Sequence, residues 1–204
     1  MKKTLVLLAC VLAIGVASAQ ENKAKNFEFG CNIGMTNFNN YSALSLFADA
    51  TDHYSTWDAA FHLGYNVGHS MIGLEYQAAY FNTSAIALNE TANLNRISLL
   101  GRHYVGIGGH WESFVGLRLG LNILSNSFTY LAQDYSRTRL GLSTMFEIGL
   151  NYCLDNGSYL GVSAGFNILG SNLGKDVELP AGLVPNDKSM LGGYSLMMQY
   201  GIRF

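Results

Sequence analysis

The sequence predicts an all-β chain, an eight-stranded antiparallel up-and-down transmembrane β-barrel, on three observations. Apolar and small polar residues alternate with period two over eight stretches, each near the roughly 9 to 11 residues that a tilted strand needs to cross a bilayer. The connections between these stretches alternate between long and short, and the strand number is even, as a barrel with one turn-bearing and one loop-bearing end requires. Beyond the N-terminal leader no apolar run reaches the length of about 18 residues that a helical span needs.

The elements follow in order. Lys2 and Lys3, the apolar run from Leu5 to Val16 and the small-residue pattern Ala17-Ser18-Ala19 read as a secretory signal peptide over residues 1–19, leaving 20–204 as the barrel domain. A lipoprotein reading through Cys10 would leave almost no apolar core ahead of the cysteine. The first segment, from about Asn26 to Phe38, sets Phe27, Phe29, Cys31, Ile33 and Met35 against Glu28, Gly30, Asn32 and Gly34. A long loop to about Ser55 follows. The second opposes Trp57, Ala59, Phe61, Leu63 and Tyr65 to Asp58, Ala60, His62, Gly64 and Asn66, and ends in a tight turn at Gly68.

The third, Ser70 to Phe81, sets Ile72, Leu74 and Tyr76 against Gly73, Glu75 and Gln77, and a loop is expected from about Asn82 to Asn93. The fourth, Leu94 to Val105, carries Ile97 and Leu99 opposite Arg96, Ser98 and Arg102, with Leu100 breaking the pattern. After a turn at Gly106 to Gly109, the fifth opposes Trp111, Val115, Leu117 and Leu119 to Glu112, Gly116, Arg118 and Gly120. A loop from about Ser125 to Ser136 leads to the sixth, with Leu140, Leu142, Phe146 and Ile148 against Arg139, Gly141, Ser143 and Glu147.

Asp155-Asn156-Gly157 supplies the residues that a tight hairpin with positive φ demands. The seventh segment, Ser158 to Ile168, opposes Leu160, Val162 and Phe166 to Gly161, Ser163 and Gly165. The longest connection, about Leu169 to Ser189, holds both prolines, Pro180 and Pro185, so neither interrupts a ladder. The eighth, Tyr194 to Phe204, alternates Tyr194, Leu196, Met198, Tyr200, Ile202 and Phe204 with Ser195, Met197, Gln199, Gly201 and Arg203.

The period does not by itself say which face meets lipid. The polar face consists largely of Gly, Ser and Asn, which suits a narrow interior and would make a poor water-facing exterior. No lysine falls in any segment, and Arg96, Arg102, Arg118, Arg139 and Arg203 all lie on the polar face. The apolar face therefore points at hydrocarbon, with Trp57 and Trp111 near opposite ends where interfacial belts sit. Charged residues are only 13% of the chain, about half the usual ~25%.

Glu28, Asp58, Glu75, Glu112 and Glu147 match the five arginines in number, and in a lumen only wide enough for side chains such charges must pair. Counting from the turn at Gly106 to Gly109 predicts an Arg102–Glu112 cross-strand pair. It also puts Arg96 level with Arg118, tolerable only with a carboxylate from Asp58, Glu75 or Glu147 between them. His62 is expected close to Glu75, and Arg203 near Glu28 at the turn end.

Other chemistry finds little support. The chain is mildly acidic at −2, with no basic patch for nucleic acid. His62 with Glu75 lacks a nucleophile, and His103 with Ser113, expected as neighbours on the lipid face, lacks a carboxylate. No metal spacing or phosphate loop occurs, and no cofactor is implied. Cys31 and Cys153 are read as small apolar side chains at outward positions. Phe47, Tyr54, Phe128, Tyr130, Tyr135 and the segment Val177 to Val184 make the loops apolar, either as packing over the mouth or as a contact patch.

The leader, the eight segments and the terminal Tyr200-Gly201-Ile202-Arg203-Phe204 resemble the small eight-stranded bacterial outer-membrane β-barrel proteins of the OmpX and OmpA transmembrane-domain type, with an OmpW-like barrel as the alternative. The resemblance implies the outer membrane of a Gram-negative bacterium, short turns and both termini in the periplasm, long loops outside, and a monomer among outer-membrane lipid. It gives Leu196, Met198, Tyr200, Ile202 and Phe204 the role of a signal read by the barrel-assembly machinery. It implies a non-enzymatic barrel whose loops serve adhesion, envelope integrity or partner binding, through an extracellular ligand or a host or cell surface. The alternatives are a porin-like conduit for apolar solutes and a lipid-modifying barrel enzyme.

Overall fold

The computed structural model describes residues 26–38, 55–85, 88–130, 133–170 and 190–204. The expected signal peptide, the first long connection with Phe47 and Tyr54, and the last one with both prolines and Val177 to Val184 lie outside the described residues, as do the side chains of Phe128 and Tyr130.

Eight strands follow one another: β1 Phe27–Phe38, β2 Ser55–Val67, β3 Ser70–Ala85, β4 Leu88–Gly108, β5 Trp111–Tyr130, β6 Gln133–Cys153, β7 Ser158–Gly170 and β8 Met190–Arg203. Each pairs antiparallel with its neighbours in sequence, and β8 pairs back onto β1, so the sheet closes on itself. Closure removes both sheet edges over the shared height. Its last link is a reciprocal backbone pair, Phe27 N–H to Phe204 O and Phe204 N–H to Phe27 O, each 2.9 Å. The Phe204 ring stacks on Phe27 at 6.2 Å, and Phe27 meets Tyr65 edge-on at 5.2 Å.

One end of the barrel carries the tight connections. Gly68, Gly109 and Gly157 turn the chain there with φ of 60°, 58° and 88°, values that a residue with a Cβ adopts only at a cost. Asn156 assists the last turn, its Oδ1 accepting the Ser158 amide at 2.9 Å.

The faces sort as the alternation predicts and invert the soluble pattern. Leu142, Leu196 and Met198 are about two-thirds exposed on the outer wall, whereas Glu28, Asp58, Arg102 and Arg118 are almost wholly buried within. Hydrocarbon outside and a filled interior explain both halves of this inversion. Leu100 follows the inward parity of Arg96 and Arg102. It packs with Met71, Tyr104 and Phe114 in an apolar layer near the turn end. Cys153 shares the inward register of Glu147 and Asn151 and lies opposite Tyr159, a correction to its expected outward position.

Strand lengths correct the loop boundaries. The stretches expected as loops at 82–93 and 125–136 are largely strand. β3 pairs with β4 as far as Ala85↔Leu88, and β5 with β6 as far as Tyr130↔Gln133. β4, β5 and β6 reach 21, 20 and 21 residues against 12 to 14 for β1, β2, β7 and β8. The extension escaped the period-two test because its outer face is no longer apolar. Above Ile97 and Ile123 that face carries hydroxyls and amides, joined across strands by Thr91 with Ser127 at 2.7 Å and Ser125 with Thr138 at 3.3 Å. Both faces of a strand outside hydrocarbon are wet, so nothing enforces alternation.

Candidate functional site

The lumen is filled in tiers. At the turn end, fully buried Glu28 of β1 accepts hydrogen bonds from the hydroxyls of Tyr104 and Tyr159 at 2.8 Å each, and from Arg203 Nε at 2.8 Å. These donors come from β4, β7 and β8, so one carboxylate ties together four strands. His62 Nε2 lies 3.3 Å from the same carboxylate. Arg203 completes the tier with a bidentate pair to Glu112 at 2.6 and 3.1 Å, its guanidinium lying over the Tyr104 ring at 4.5 Å.

In the middle tier, Glu147 receives Arg102 Nε at 2.7 Å and Arg118 Nη2 at 2.7 Å. Arg118 reaches on to Glu75 at 3.1 Å, and Arg102 lies 3.9 Å from Glu28. Arg102 also covers Phe114 at 4.7 Å. Gly116 makes the first contact possible. It stands between Arg102 and Glu147 in register, and a Cβ there would come within 2.6 Å of the Glu147 carboxylate.

Toward the loop end, Asp58 is held by the hydroxyls of Thr36 and Thr56 and by Gln77 Nε2 at 2.9 Å. Arg96 spans from β4 to Asn167 of β7 at 2.9 Å. Arg139 donates to Asn126 at 3.4 Å. Beside this tier Phe38, Ala79, Ala92, Leu94, Leu124 and Leu169 form a buried apolar layer contributed by five strands, Ala79 facing Asp58 and Leu124 facing Arg139 in register.

These positions correct three expectations. Arg102 faces Gly116, not Glu112. β4 runs to Gly108, a register irregularity falls between Gly106 and Gly108, and only Gly109-His110 turns, so the count shifts by four residues. Arg96 therefore comes level with Asn122, and Arg118 with Leu100, rather than with each other. His62 lies opposite Glu75 in register, as expected, and its ring is bonded to Glu28, a partner the count did not foresee. His103 pairs with Ser70 at 2.9 Å, while Ser113 donates to the Val105 carbonyl at 3.2 Å. Asp58, Glu75 and Glu147 occupy three separate places, and two of them, Glu75 and Glu147, flank Arg118.

The lumen residues missing from the sequence reading are Tyr104, Tyr159, Phe114, Met71 and Met145. Each has the inward parity of its strand's polar face, beside a charged residue for Tyr104, Phe114, Met71 and Met145 and beside Gly161 and Ser163 for Tyr159, so parity could have found them. An aromatic or thioether in a polar stripe reads as an exception to the alternation, which hides its place in the lumen. Chemically the site is a set of mutually neutralising pairs. The Ser70–His103 pair on the outer wall has no carboxylate bonded to its imidazole among the described residues, and those residues contain no cluster of three metal-ligating side chains.

A family model described as "Outer membrane protein beta-barrel domain" matches residues 6–204. No curated protein matches the sequence. Among solved structures the chain is similar to neisserial surface protein A, with 14% identity, a TM-score of 0.57, and coverage of 90% of this chain and 100% of that one. It is also similar to Ail, the attachment invasion locus protein of Yersinia pestis, with 12% identity, a TM-score of 0.48, and coverage of 87% and 99%.

Proposed function

The chain belongs to the outer membrane protein beta-barrel domain family, and from that premise we propose that it is a non-enzymatic, monomeric barrel of the Gram-negative outer membrane. It is exported by a signal peptide cleaved after Ala19, its tight turns face the periplasm, and it acts through its outer rim in adhesion, envelope integrity or partner binding. The observation that carries this reading is the crossing of the lumen. Glu28 bonds to Tyr104 three strands away around the ring, Arg96 reaches Asn167 across a similar span, and an apolar layer lies above both. A bore closed three times by buried contacts does not conduct ions, and that argues against a conduit. The Ser70–His103 pair, without an orienting acid, argues against hydrolysis.

Planar-bilayer recording on the refolded protein tests the reading. No steady conductance is expected, and a reproducible open level would overturn it.

Leu196, Met198, Tyr200, Ile202 and Phe204 share the outward register and form the signal that the barrel-assembly machinery reads, with Leu196, Met198 and Phe204 exposed and Ile202 covered by its neighbours. Because Phe204 also closes the ring through its backbone, deleting it confounds recognition with closure. Phe204→Ala keeps the backbone pair and loses a ring contact of about 0.5–1.5 kcal/mol. It is expected to reduce insertion in cells far more than it lowers the unfolding midpoint of refolded protein. Equal losses in both measurements would remove the signalling role.

A further inference from the structure

The outer wall of β1 to β4 bears a hollow of about 260 Å³ near the loop end. Ala59 and Ala78 form its floor, Trp57 and Tyr80 one side, and Asn93 and Asn95 another. Trp57 is 68% exposed and Tyr80 52%. Interfacial aromatics alone would be a membrane belt. The hollow is more than a belt, because Asn93 stands level with Tyr80 and Trp57 and Asn95 one step nearer Ile97, so two carboxamides flank the aromatic pair where the wall passes out of hydrocarbon.

Asn95 accepts the Tyr76 hydroxyl at 2.6 Å through Oδ1, so its NH₂ remains for another acceptor. The Asn93 side chain makes no hydrogen bond among the described residues. The alanine floor adds concavity at a level where belt residues are usually bulky. No cationic side chain lines the hollow, and Asp58, behind the floor, turns its carboxylate inward to Thr36, Thr56 and Gln77.

We propose that this hollow binds a neutral sugar ring carried by a lipid of the surrounding leaflet. A pyranose has an apolar C–H face suited to an indole or phenol, and a hydroxyl edge suited to carboxamides. The lack of a cation disfavours a phosphate. The opening is lateral and lies at the upper margin of the apolar wall, the level of lipid headgroups, which fits a lipid-borne ring rather than a free one. The size suits one ring, being below that of a drug-sized pocket. The site rests on the membrane-spanning placement of the barrel proposed above.

The test uses full mature protein refolded into phosphatidylcholine nanodiscs, with Trp111→Phe leaving Trp57 as the sole indole. Galactosyl diacylglycerol is titrated in and acrylamide quenching of Trp57 is read. The galactolipid is expected to protect Trp57 where diacylglycerol with the same chains does not. Asn95→Leu is expected to raise the half-maximal galactolipid fraction about five-fold, the factor that one lost hydrogen bond gives, with the urea midpoint unchanged. Equal protection by the sugar-free lipid, indifference to Asn95→Leu, or protection by methyl galactoside alone would each overturn the proposal. None of these results bears on lumen closure, which the conductance measurement decides separately.

Discussion

Glu147→Leu is expected to destabilise the refolded barrel by about 3–5 kcal/mol, the range seen when one partner of a buried ion pair is removed. The carboxylate receives Arg102 and Arg118 at 2.7 Å each, and all three groups are buried. Arg118 keeps Glu75 after the change. Arg102 keeps nothing nearer than Glu28 at 3.9 Å, and a guanidinium held away from water without a partner is the dominant cost. If that reasoning holds, removing the stranded charge as well restores most of the loss. Arg102→Met with Glu147→Leu is therefore expected to come within about 1–2 kcal/mol of the parent, since an apolar pair of similar volume often replaces a buried ion pair at little net cost. Urea unfolding in lipid vesicles reads both. A double variant as unstable as the single one would show that Glu147 matters through something other than charge.

Gly34→Val is expected to be comparably damaging, by about 3 kcal/mol, for a steric reason. Gly34 lies opposite Met197 in the β1–β8 seam. A Cβ built there would overlap the Leu196 carbonyl oxygen and come within 2.7 Å of the Met197 Cα. Backbone cannot yield as a side-chain tip does, so the seam must part or the strand must shift. Strand propensity favours valine over glycine by at most about 1 kcal/mol, and overpacking of 1–3 kcal/mol or more outweighs it. Gly64 provides the contrast, because a Cβ there meets the Met71 side chain, a flexible group that can re-route. Gly64→Ala is expected to cost less than Gly34→Ala in the same unfolding assay, and the reverse order would refute the steric account.

Much of this architecture was legible because one physical constraint acts at every second residue. Hydrocarbon outside and crowding inside fix parity, so the inward positions of Glu28, Glu75, Arg118 and Arg203 could be assigned residue by residue. Height was not legible in the same way. It depends on where a turn falls and how many residues it consumes, and the two-residue turn at Gly109-His110, together with the irregularity between Gly106 and Gly108, moved Arg102 from Glu112 to Gly116. Reach was not legible either. Arg102 touches Glu147 by passing a glycine, and Glu28 gathers Tyr104 and Tyr159 from three and two strands away, neither of which cross-strand counting can foresee. The tall hairpins of β3 to β6 were hidden where the wall leaves the apolar phase, since the pattern that reveals a strand there is a property of the solvent as much as of the chain.

The unequal strands have a geometric consequence. With β4 to β6 about seven residues longer than β1, β2, β7 and β8, one arc of the wall stands roughly 20 Å farther along the strand direction than the other, at about 3.3 Å per residue. The strand wall formed by the described residues is therefore cut obliquely, with a front and a back in the plane of the bilayer. Among the described residues, the short arc offers an oily strand surface that ends early. A neighbour approaching the tall arc meets a hydroxyl-lined parapet. The barrel thus carries a compass bearing, and any lasting neighbour must select an azimuth as well as a height.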